Sequence, residues 1–153
     1  MRESRRQIAP AVYLDSDVFI YLIEGGPAVS RAVQPLFEVL RHKPGIGITS
    51  EISLAEVLAG RDSTVRRLCL DLMVFGGYIG LEPVSRDVLY ETADLRKVAP
   101  IKKLVDDIHL VTAIRGRCRF FVSRDSDFRR MPQGMAKVTP DASAVSKLVE
   151  KIG

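Results

Sequence analysis

The chain has only two cysteines and two histidines among its 153 residues, and no tryptophan. It therefore has few of the side chains that form disulfides or bind zinc. Cys69 and Cys118 cannot form a disulfide framework or a cysteine-based zinc site. We therefore expect both to be small core side chains of a protein in a reducing compartment, the cytoplasm. No apolar run approaches the roughly 20 residues that cross a membrane. The basic start MRESRRQIAP lacks the apolar segment that a secretory signal requires.

The composition is that of one ordinary globular domain. With 46% hydrophobic and 27% charged residues, the chain has the apolar share that a packed core needs. We expect a single domain over 11–153, preceded by a basic extension at 1–10. The net charge of +4 weakly favours a polyanionic partner, and arginines concentrate at 2–6, 115–119 and 124–130.

Short apolar runs alternate with segments of helical periodicity along the chain. Strands are predicted at 11–14, 46–50, 78–84, 119–123 and 136–140, and helices at 18–24, 28–42, 51–59, 64–75, 86–98, 102–115 and 142–151. Pro35 is expected to kink or divide the second helix. The alternation predicts a three-layer α/β/α sandwich with a central, mostly parallel five-stranded sheet.

Two acidic side chains follow directly on predicted strands. Asp15 comes after AVYL, and Asp125 comes after FFVS. Both should lie at the carboxyl edge of the sheet, where open parallel sheets bind their ligands.

Two further acids, Glu56 and Asp106, lie on helix faces that are otherwise small or apolar. The faces follow i, i+3, i+4, i+7 spacing: Ile52, Ala55, Glu56 and Ala59 in one helix, and Asp106, His109, Leu110 and Ala113 in the other. A carboxylate packed on the sheet in this way is costly unless it is paired. Asp107 lies about 100° round the helix from Asp106 and is expected to be more exposed.

Any one of these acids alone is typical of a turn, a cap or a solvated surface, but four that converge need another explanation. Two carboxylates about 5 Å apart repel by roughly 3 kcal/mol at an effective dielectric constant of 20. Such a cluster takes up protons or requires a cation, and oxygen ligands suit Mg²⁺, or alternatively Mn²⁺. A carboxylate-held Mg²⁺ in basic surroundings is a site for phosphate chemistry with a metal-activated water.

The segments YLDSDVFIYLIEG, ITSEISLAEVLAG, LVDDIHLVTAI and FFVSRDSDFRR resemble, in order and spacing, the four acidic motifs of PIN domains, and above all those of VapC-like ribonuclease toxins. The resemblance implies a parallel α/β/α fold, Mg²⁺-dependent endoribonuclease activity, a homodimer and a neutralising antitoxin partner. Matched by motif, the catalytic and metal-binding residues are Asp15, Glu56, Asp106 and Asp125. Asp127 and Ser123 match auxiliary positions of the fourth motif.

The sequence departs from the family pattern at two acids. Asp17 stands where asparagine is usual, and its charge could tighten metal binding or simply accept a hydrogen bond from nearby backbone. Asp107 stands where alanine is commoner, although Asp106 fits the register better as the third ligand. We expect His109 to be a half-buried histidine with local hydrogen bonds rather than an acid–base catalyst. Arginines near the fourth motif are candidates for RNA binding: Arg124, Arg129 and Arg130.

Two other functions are compatible with parts of the sequence. The DxD of LDSDVF also begins haloacid-dehalogenase phosphatases, whose first Asp is a nucleophile. Phe19 stands where that family has Thr or Val, and Glu56 would have no role there. The other alternative is a PIN-like module that binds RNA or protein without cleaving, which the presence of all four acids disfavours.

Overall fold

A computed structural model of the protein describes residues 9–98 and 103–153. Most of the predicted basic extension, Pro100 as the predicted helix terminator and Lys102 as the predicted start of the sixth helix lie outside the described residues. The fold comprises a parallel sheet with helices on both of its faces.

Five short strands form the sheet: β1 (Val12–Leu14), β2 (Gly47–Ser50), β3 (Gly80–Glu82), β4 (Phe120–Val122) and β5 (Ala136–Val138). Their spatial order is β3-β2-β1-β4-β5, and each of these pairings is parallel. β1 is central, because Val12 pairs with Gly47 on one side and with Phe120 on the other. The prediction of a five-stranded, mostly parallel sheet is confirmed.

The helices of the described chain are α1 (Ser16–Glu24), α2 (Pro27–His42), α3 (Ile52–Leu58), α4 (Ser63–Leu70), α5 (Arg86–Val98), α6 (Leu104–Arg115) and α7 (Ala142–Ile152). Pro35 does not divide α2, which runs past it with the proline ring on the exposed side. The predicted helix at 64–75 is in two parts, since α4 continues as a π-helical turn over Asp71–Phe75. Ser85 and Asp141 cap α5 and α7 as expected, accepting from the N–H groups of Val88 and Ala144.

The two faces of the sheet follow the period-two alternation of β1. Val12 and Leu14 belong to the larger core, which α1, α2, α4 and α7 cover. Tyr13 points to the opposite face and stacks on Phe121, with ring centroids 5.0 Å apart, beneath α6. Because α6 packs directly over this face, it carries its side chains towards the central strands.

The burial of α6 contradicts one prediction, since Asp107 is fully buried rather than more exposed than Asp106. The reason is that α5 covers the outer side of α6, where Val88, Ile108 and Val111 form a separate apolar cluster. Arg96 of α5 donates to Asp107 Oδ2 over 2.6 Å, so the buried carboxylate is ion-paired. Every position from 106 to 113 is buried, and α6 has no solvent face there.

The face predicted for α3 is also wrong. Ala55 and Ala59 are exposed, whereas Ser53 and Val57 are buried. The Ser53 hydroxyl lies 2.8 Å from that of Thr49, which itself donates to the Leu14 carbonyl. These polar contacts turn the helix so that its serine, rather than its alanines, faces the sheet. Small residues such as alanine carry too little apolar area to decide the orientation of a short helix.

The connection from α6 to β4 places a non-glycine residue in the left-handed region. Gly116 ends the helix with φ −73°, and Arg117 follows at φ +54°. The N–H of Cys118 donates to Ala113 O, and the N–H of Arg117 donates to Ile114 O, which is the Schellman pattern. Glycine is nevertheless needed at 116, because a Cβ there would lie 2.6 Å from Ile48 Cδ1.

Cys69 and Cys118 are buried and carry free thiols, as predicted. Tyr78 is buried, whereas the side chains of Phe75 and Tyr90 are 70% and 64% exposed. These two aromatic residues therefore do not belong to the core. No helix within the described ranges has the length and apolarity needed to cross a lipid bilayer.

Candidate active site

Asp15 and Ser123 meet where β1 and β4 end side by side. Asp15 is the N-cap of α1 and accepts from the Ser16 N–H over 2.8 Å. Its second oxygen, Oδ2, accepts from the Ser123 hydroxyl over 2.6 Å. The same hydroxyl oxygen accepts from the Asp125 N–H over 2.9 Å. One buried serine therefore fixes the first acid relative to the fourth.

Asp17 lies beside this pair, and its carboxylate accepts a hydrogen bond from the backbone of the β4 loop. Its Oδ2 and Oδ1 accept from the Arg124 N–H over 3.1 and 3.3 Å. The hydrogen bond to nearby backbone that was predicted as one role of the extra acid is therefore formed. Burial and the neighbouring charge of Asp15 raise the pKa of Asp17 from 3.8 to about 7.

Three carboxylates form the tightest acidic group of the described residues. Oxygens of Asp106, Asp125 and Asp127 all lie within 4.8 Å of one another. Asp127 is held by its backbone N–H, which donates to Asp125 Oδ1 over 2.9 Å. Asp106 Oδ2 is buried and has no hydrogen-bond partner in the described chain. Burial, followed by the charges of Asp125 and Asp15, raises the pKa of Asp106 to about 6.

This group of carboxylates fits a hard divalent cation. An orphaned, buried carboxylate oxygen costs free energy unless a proton or a cation satisfies it. The oxygens beside it are hard donors of the kind that Mg²⁺ and Mn²⁺ bind. Asp15 adds to the negative potential, since its charge raises the pKa of Asp106 as well.

Glu56 joins the site through His109. The His109 Nε2 lies 2.6 Å from Glu56 Oε1 and 3.5 Å from Asp15 Oδ1. On the other side of the ring, Nδ1 is hydrogen-bonded to the Tyr13 hydroxyl, which also accepts from the Ser50 N–H over 3.1 Å. The predicted half-burial and local hydrogen bonds of His109 are both wrong, because its side chain is fully buried and its partners are 53 and 96 positions away. That His109 is not an acid–base catalyst stays a prediction.

The neighbouring acids raise the pKa of this histidine. Burial lowers the pKa of His109, but the hydrogen bond to Glu56 and the charges of Asp15, Glu56 and Asp106 outweigh it, and the net direction is upward. The pKa of Asp15 is raised by burial, against the lowering effects of His109 and Ser123. Glu56 itself remains at the rim, with its side chain 35% exposed.

Basic side chains surround the acidic group on the β4 side. Arg124 is exposed and its guanidinium lies over the Tyr21 ring, 4.0 Å from the centroid. Arg129 and Arg130 are exposed as well, and Arg129 donates to the Ser126 carbonyl. Lys137 of β5 donates to the Asp125 carbonyl and so anchors the loop that carries the fourth acid.

The structure thus brings Asp15, Asp106 and Asp125 together, with Asp17 and Asp127 beside them and Glu56 attached through His109. Sequence reasoning missed the functional contacts of Tyr13, His109 and Lys137. A weak signal existed for His109, which lies three residues after Asp106 and therefore on the same side of α6. Nothing in the sequence distinguishes Lys137 from other surface lysines.

The fold is similar to that of chains in several solved structures. A toxin–antitoxin complex from Klebsiella pneumoniae matches with a TM-score of 0.62 and 24% identity, over 85% of this chain and 98% of that one. VapBC2 from Rickettsia felis, bound to a promoter DNA fragment, matches with a TM-score of 0.59 and 16% identity, over 84% and 98%. VapC20 from Mycobacterium tuberculosis, named as a toxin that cleaves the sarcin-ricin loop, matches with a TM-score of 0.59 and 18% identity, over 77% and 92%.

Among curated proteins, no sequence matches this chain. The family model of the PIN domain, however, matches residues 12–134, which contain all four acidic motifs and the strands β1 to β4, but not β5 or α7. With the parallel sheet and the acids gathered at its carboxyl edge, this match confirms the resemblance seen in the sequence. The chain belongs to the PIN domain family.

Proposed function

We propose that this protein is a Mg²⁺-dependent endoribonuclease that hydrolyses RNA phosphodiester bonds and acts as the toxin of a toxin–antitoxin pair. The observation that carries the proposal is the buried, unpartnered Asp106 Oδ2 in a group with Asp125 and Asp127. An acidic group of this kind repels an RNA phosphate unless a cation lies between them. Membership of the PIN family supports nuclease chemistry at such a group.

The ion would be held by Asp106 and Asp125, with Asp15 and Glu56 as further ligands and Asp127 as an auxiliary one. A bound Mg²⁺, or Mn²⁺ in its place, lowers the pKa of a coordinated water and stabilises negative charge that develops on phosphate oxygens. Ser123 orients Asp15 and the Asp125 backbone, and Asp17 holds the loop at Arg124. Lys137 holds the same loop from β5.

RNA binding would depend mainly on phosphate contacts. Arg124, Arg129 and Arg130 are exposed and lie close in sequence to Asp125 and Asp127, so they are the proposed contacts for RNA phosphates. Binding through such contacts weakens steeply with salt, because counterions are released when arginines neutralise phosphates. The stacking of Arg124 on Tyr21 keeps that guanidinium in place next to the site.

The names of the similar solved structures support the proposed substrate and protein partner. One of them is named as a toxin that cleaves the sarcin-ricin loop and another as a toxin–antitoxin complex, which supports an RNA substrate and an antitoxin partner here. We propose that the toxin is a homodimer and works in the cytoplasm, where its free buried thiols remain reduced.

One incubation series tests the activity. Purified protein is mixed with total RNA in Mg²⁺, in Mn²⁺ and in chelator, and Asp106→Asn is compared with Asp94→Asn. Asp94 is exposed on α5, so the second variant makes the same chemical change away from the site. We expect discrete fragments with either metal ion, none in chelator, and cleavage by Asp94→Asn only. Sequencing of the fragment ends then identifies the RNA.

Two results would replace the proposal with one of the alternatives. Metal-independent RNA binding without fragments would identify a binding module that has lost catalysis. Hydrolysis of a small phosphomonoester, with trapping by beryllofluoride, would identify a phosphatase with an aspartyl nucleophile. Equal cleavage by Asp106→Asn and the wild-type protein would show that the assigned acids are not the catalytic ones.

A further inference from the structure

A chain of three hydrogen-bonded side chains, two of them fully buried, links the interior of the sheet to the rim of the acidic cluster. Tyr13 of β1 and His109 of α6 are both completely buried, and they hydrogen-bond to each other. His109 then contacts Glu56 of α3 over 2.6 Å. The three residues come from three different elements, so the chain ties together the strand and both helices that carry the first three acids.

The direction of these hydrogen bonds follows from what each group can donate. An ionised Glu56 carboxylate can only accept, so the His109 Nε2 must carry a proton and donate it. This holds whether the ring is neutral or charged, because both forms can have Nε2–H. The Tyr13 hydroxyl lies at Nδ1 and is itself fixed by the Ser50 N–H. The ring therefore cannot turn over without the loss of two hydrogen bonds, a buried one to Tyr13 and a partly buried one to Glu56.

The Glu56 side chain has little else to hold it. It is 35% exposed, lies on the short helix α3, and makes no other hydrogen bond within the described residues. An exposed glutamate side chain loses substantial rotamer entropy when it adopts a single conformation. Its position at the cluster depends on the ring, which is rigid because it is packed on all sides.

We propose that His109 and Tyr13 are positioning residues: His109 Nε2–H holds the Glu56 carboxylate at the acidic cluster, and the Tyr13 hydroxyl fixes the rotation of the imidazole ring. The inference rests on the proposed function, in which Glu56 is a ligand of the metal ion. Hydrogen-bonded partners of ligands orient them, and their loss typically weakens metal affinity or activity about 10- to 100-fold. His109 takes this place without contacting the substrate.

Two substitutions at position 109 distinguish the hydrogen bond at Nε2 from the hydrogen bond at Nδ1. The Gln side-chain nitrogen reaches about as far as Nε2 and can still donate to Glu56, whereas Asn reaches only the Nδ1 position and the Tyr13 hydroxyl. His109→Gln should therefore rescue what His109→Asn loses. Tyr13→Phe removes only the hydroxyl at Nδ1. Tyr78→Phe is its matched control, because the Tyr78 hydroxyl is buried, far from the acids in sequence, and has no partner in the described chain.

The first measurement is Mn²⁺ affinity of each folded variant by calorimetry, with no RNA present. We expect His109→Asn to bind Mn²⁺ about 10- to 100-fold more weakly than wild type, and His109→Gln to stay within about threefold. Tyr13→Phe should fall between them, and Tyr78→Phe should match the wild type. Equal Mn²⁺ affinity in His109→Asn and wild type, or equal loss in His109→Asn and His109→Gln, overturns the inference.

The second measurement uses the wild-type protein alone and so does not depend on how a variant folds. Nitrogen-15 NMR of the two imidazole rings reports which ring nitrogen carries hydrogen, and exposed His42 provides the internal comparison. We expect a protonated Nε2 for His109. A neutral ring with its proton on Nδ1 would refute the assigned direction.

Kinetics distinguish positioning from simple structural support. With a defined RNA, His109→Asn should lower kcat about as much as it lowers Mn²⁺ affinity while KM for RNA remains within about threefold. A change in KM alone would contradict the inference. If the wild-type protein binds Mn²⁺ but cleaves no RNA, the proposed function fails, while the order of Mn²⁺ affinities and the NMR result still decide the roles of His109 and Tyr13.

Discussion

Replacement of Asp17 by asparagine should stabilise the protein above neutral pH. The asparagine oxygen can still accept from the Arg124 N–H, so the backbone contact of the loop survives. What disappears is one negative charge beside Asp15 in a partly buried setting. The substitution therefore isolates the electrostatic cost of the extra acid from its hydrogen bond.

Two figures bracket this cost, one for the repulsion between the two carboxylates alone and one that also includes the burial of Asp17. Asp15 Oδ2 and Asp17 Oδ2 lie 2.6 and 3.5 Å from the Ser123 hydroxyl, so at most 2.6 plus 3.5, or about 6 Å, separates them. Two unit charges at that distance repel by about 3 kcal/mol at an effective dielectric constant of 20. The rise of the Asp17 pKa from 3.8 to about 7 corresponds to about 4 kcal/mol, at about 1.4 kcal/mol per pKa unit. We expect a gain of about 2 to 4 kcal/mol at pH 8.

The gain should depend on pH in a defined direction. Because folding raises the pKa of Asp17, the wild-type protein keeps its full stability below about pH 4 and loses this contribution as the pH rises to about 7. The asparagine variant has no such loss. The difference between the two proteins should shrink to about 1 kcal/mol at pH 4.5, where folded wild-type protein carries the protonated acid.

Urea denaturation of both proteins in chelator, at pH 4.5 and pH 8, measures the difference in the free energy of unfolding. At pH 8 the gain corresponds to a rise in Tm of about 4 to 16 °C, at about 2 to 4 °C per kcal/mol for a chain of this length. Addition of Mg²⁺ should reduce the gain, since a cation relieves the same repulsion in the wild-type protein. A gain that is absent at pH 8, or equal at both pH values, would refute the electrostatic reasoning.

Three further predictions follow from other contacts. Ser123→Ala removes the hydroxyl that links Asp15 to the Asp125 backbone, so RNA cleavage should fall about 10- to 100-fold while RNA binding, measured by filter retention in chelator, is unchanged. In the loop after α6, Arg117→Gly should raise the free energy of unfolding by about 0.5 to 1 kcal/mol, because φ at this position is +54°. Gly116→Ala should lower it by about 1 to 3 kcal/mol, because the added Cβ would meet Ile48. Urea titrations that show a loss of stability for Arg117→Gly or a gain for Gly116→Ala would contradict this. Mg²⁺ at about 100 times its Kd should stabilise the wild-type protein by about 2.7 kcal/mol and Asp106→Asn far less, and an equal rise in Tm for both would argue against Asp106 as a ligand.

The sheet could be predicted because its signals are local. Apolar runs that alternate with helical segments require a parallel arrangement, and the observed strands fall within the predicted ranges. The helix faces could not be predicted equally well. Asp107 is buried because another helix covers α6, and Ala55 is exposed because side-chain hydrogen bonds orient α3. Both outcomes are set by tertiary contacts that periodicity within one segment does not contain. The π turn after α4 had no sequence signal.

The acids of the site show the same division. Asp15 and Asp125 could be predicted, since the end of a parallel strand defines where its next residue lies. Asp106 could be predicted from its place on the apolar face of a helix that was expected to pack on the sheet. The attachment of Glu56 through His109 could not be predicted. Tyr13 and His109 are 96 positions apart, and neither residue alone differs in its sequence pattern from an ordinary core residue.

The placement of β4 directly beside β1 has a consequence for the timing of synthesis. The first acid leaves the ribosome early, but the strand that supplies its serine partner lies more than 100 positions later in the chain. Contacts between such distant segments form late, because the entropy of closing a long loop is lost before the contact stabilises the chain. A nascent chain that has not yet emerged through Asp127 has no complete acidic group, so the chemistry proposed for that group would begin only after most of the chain has left the ribosome.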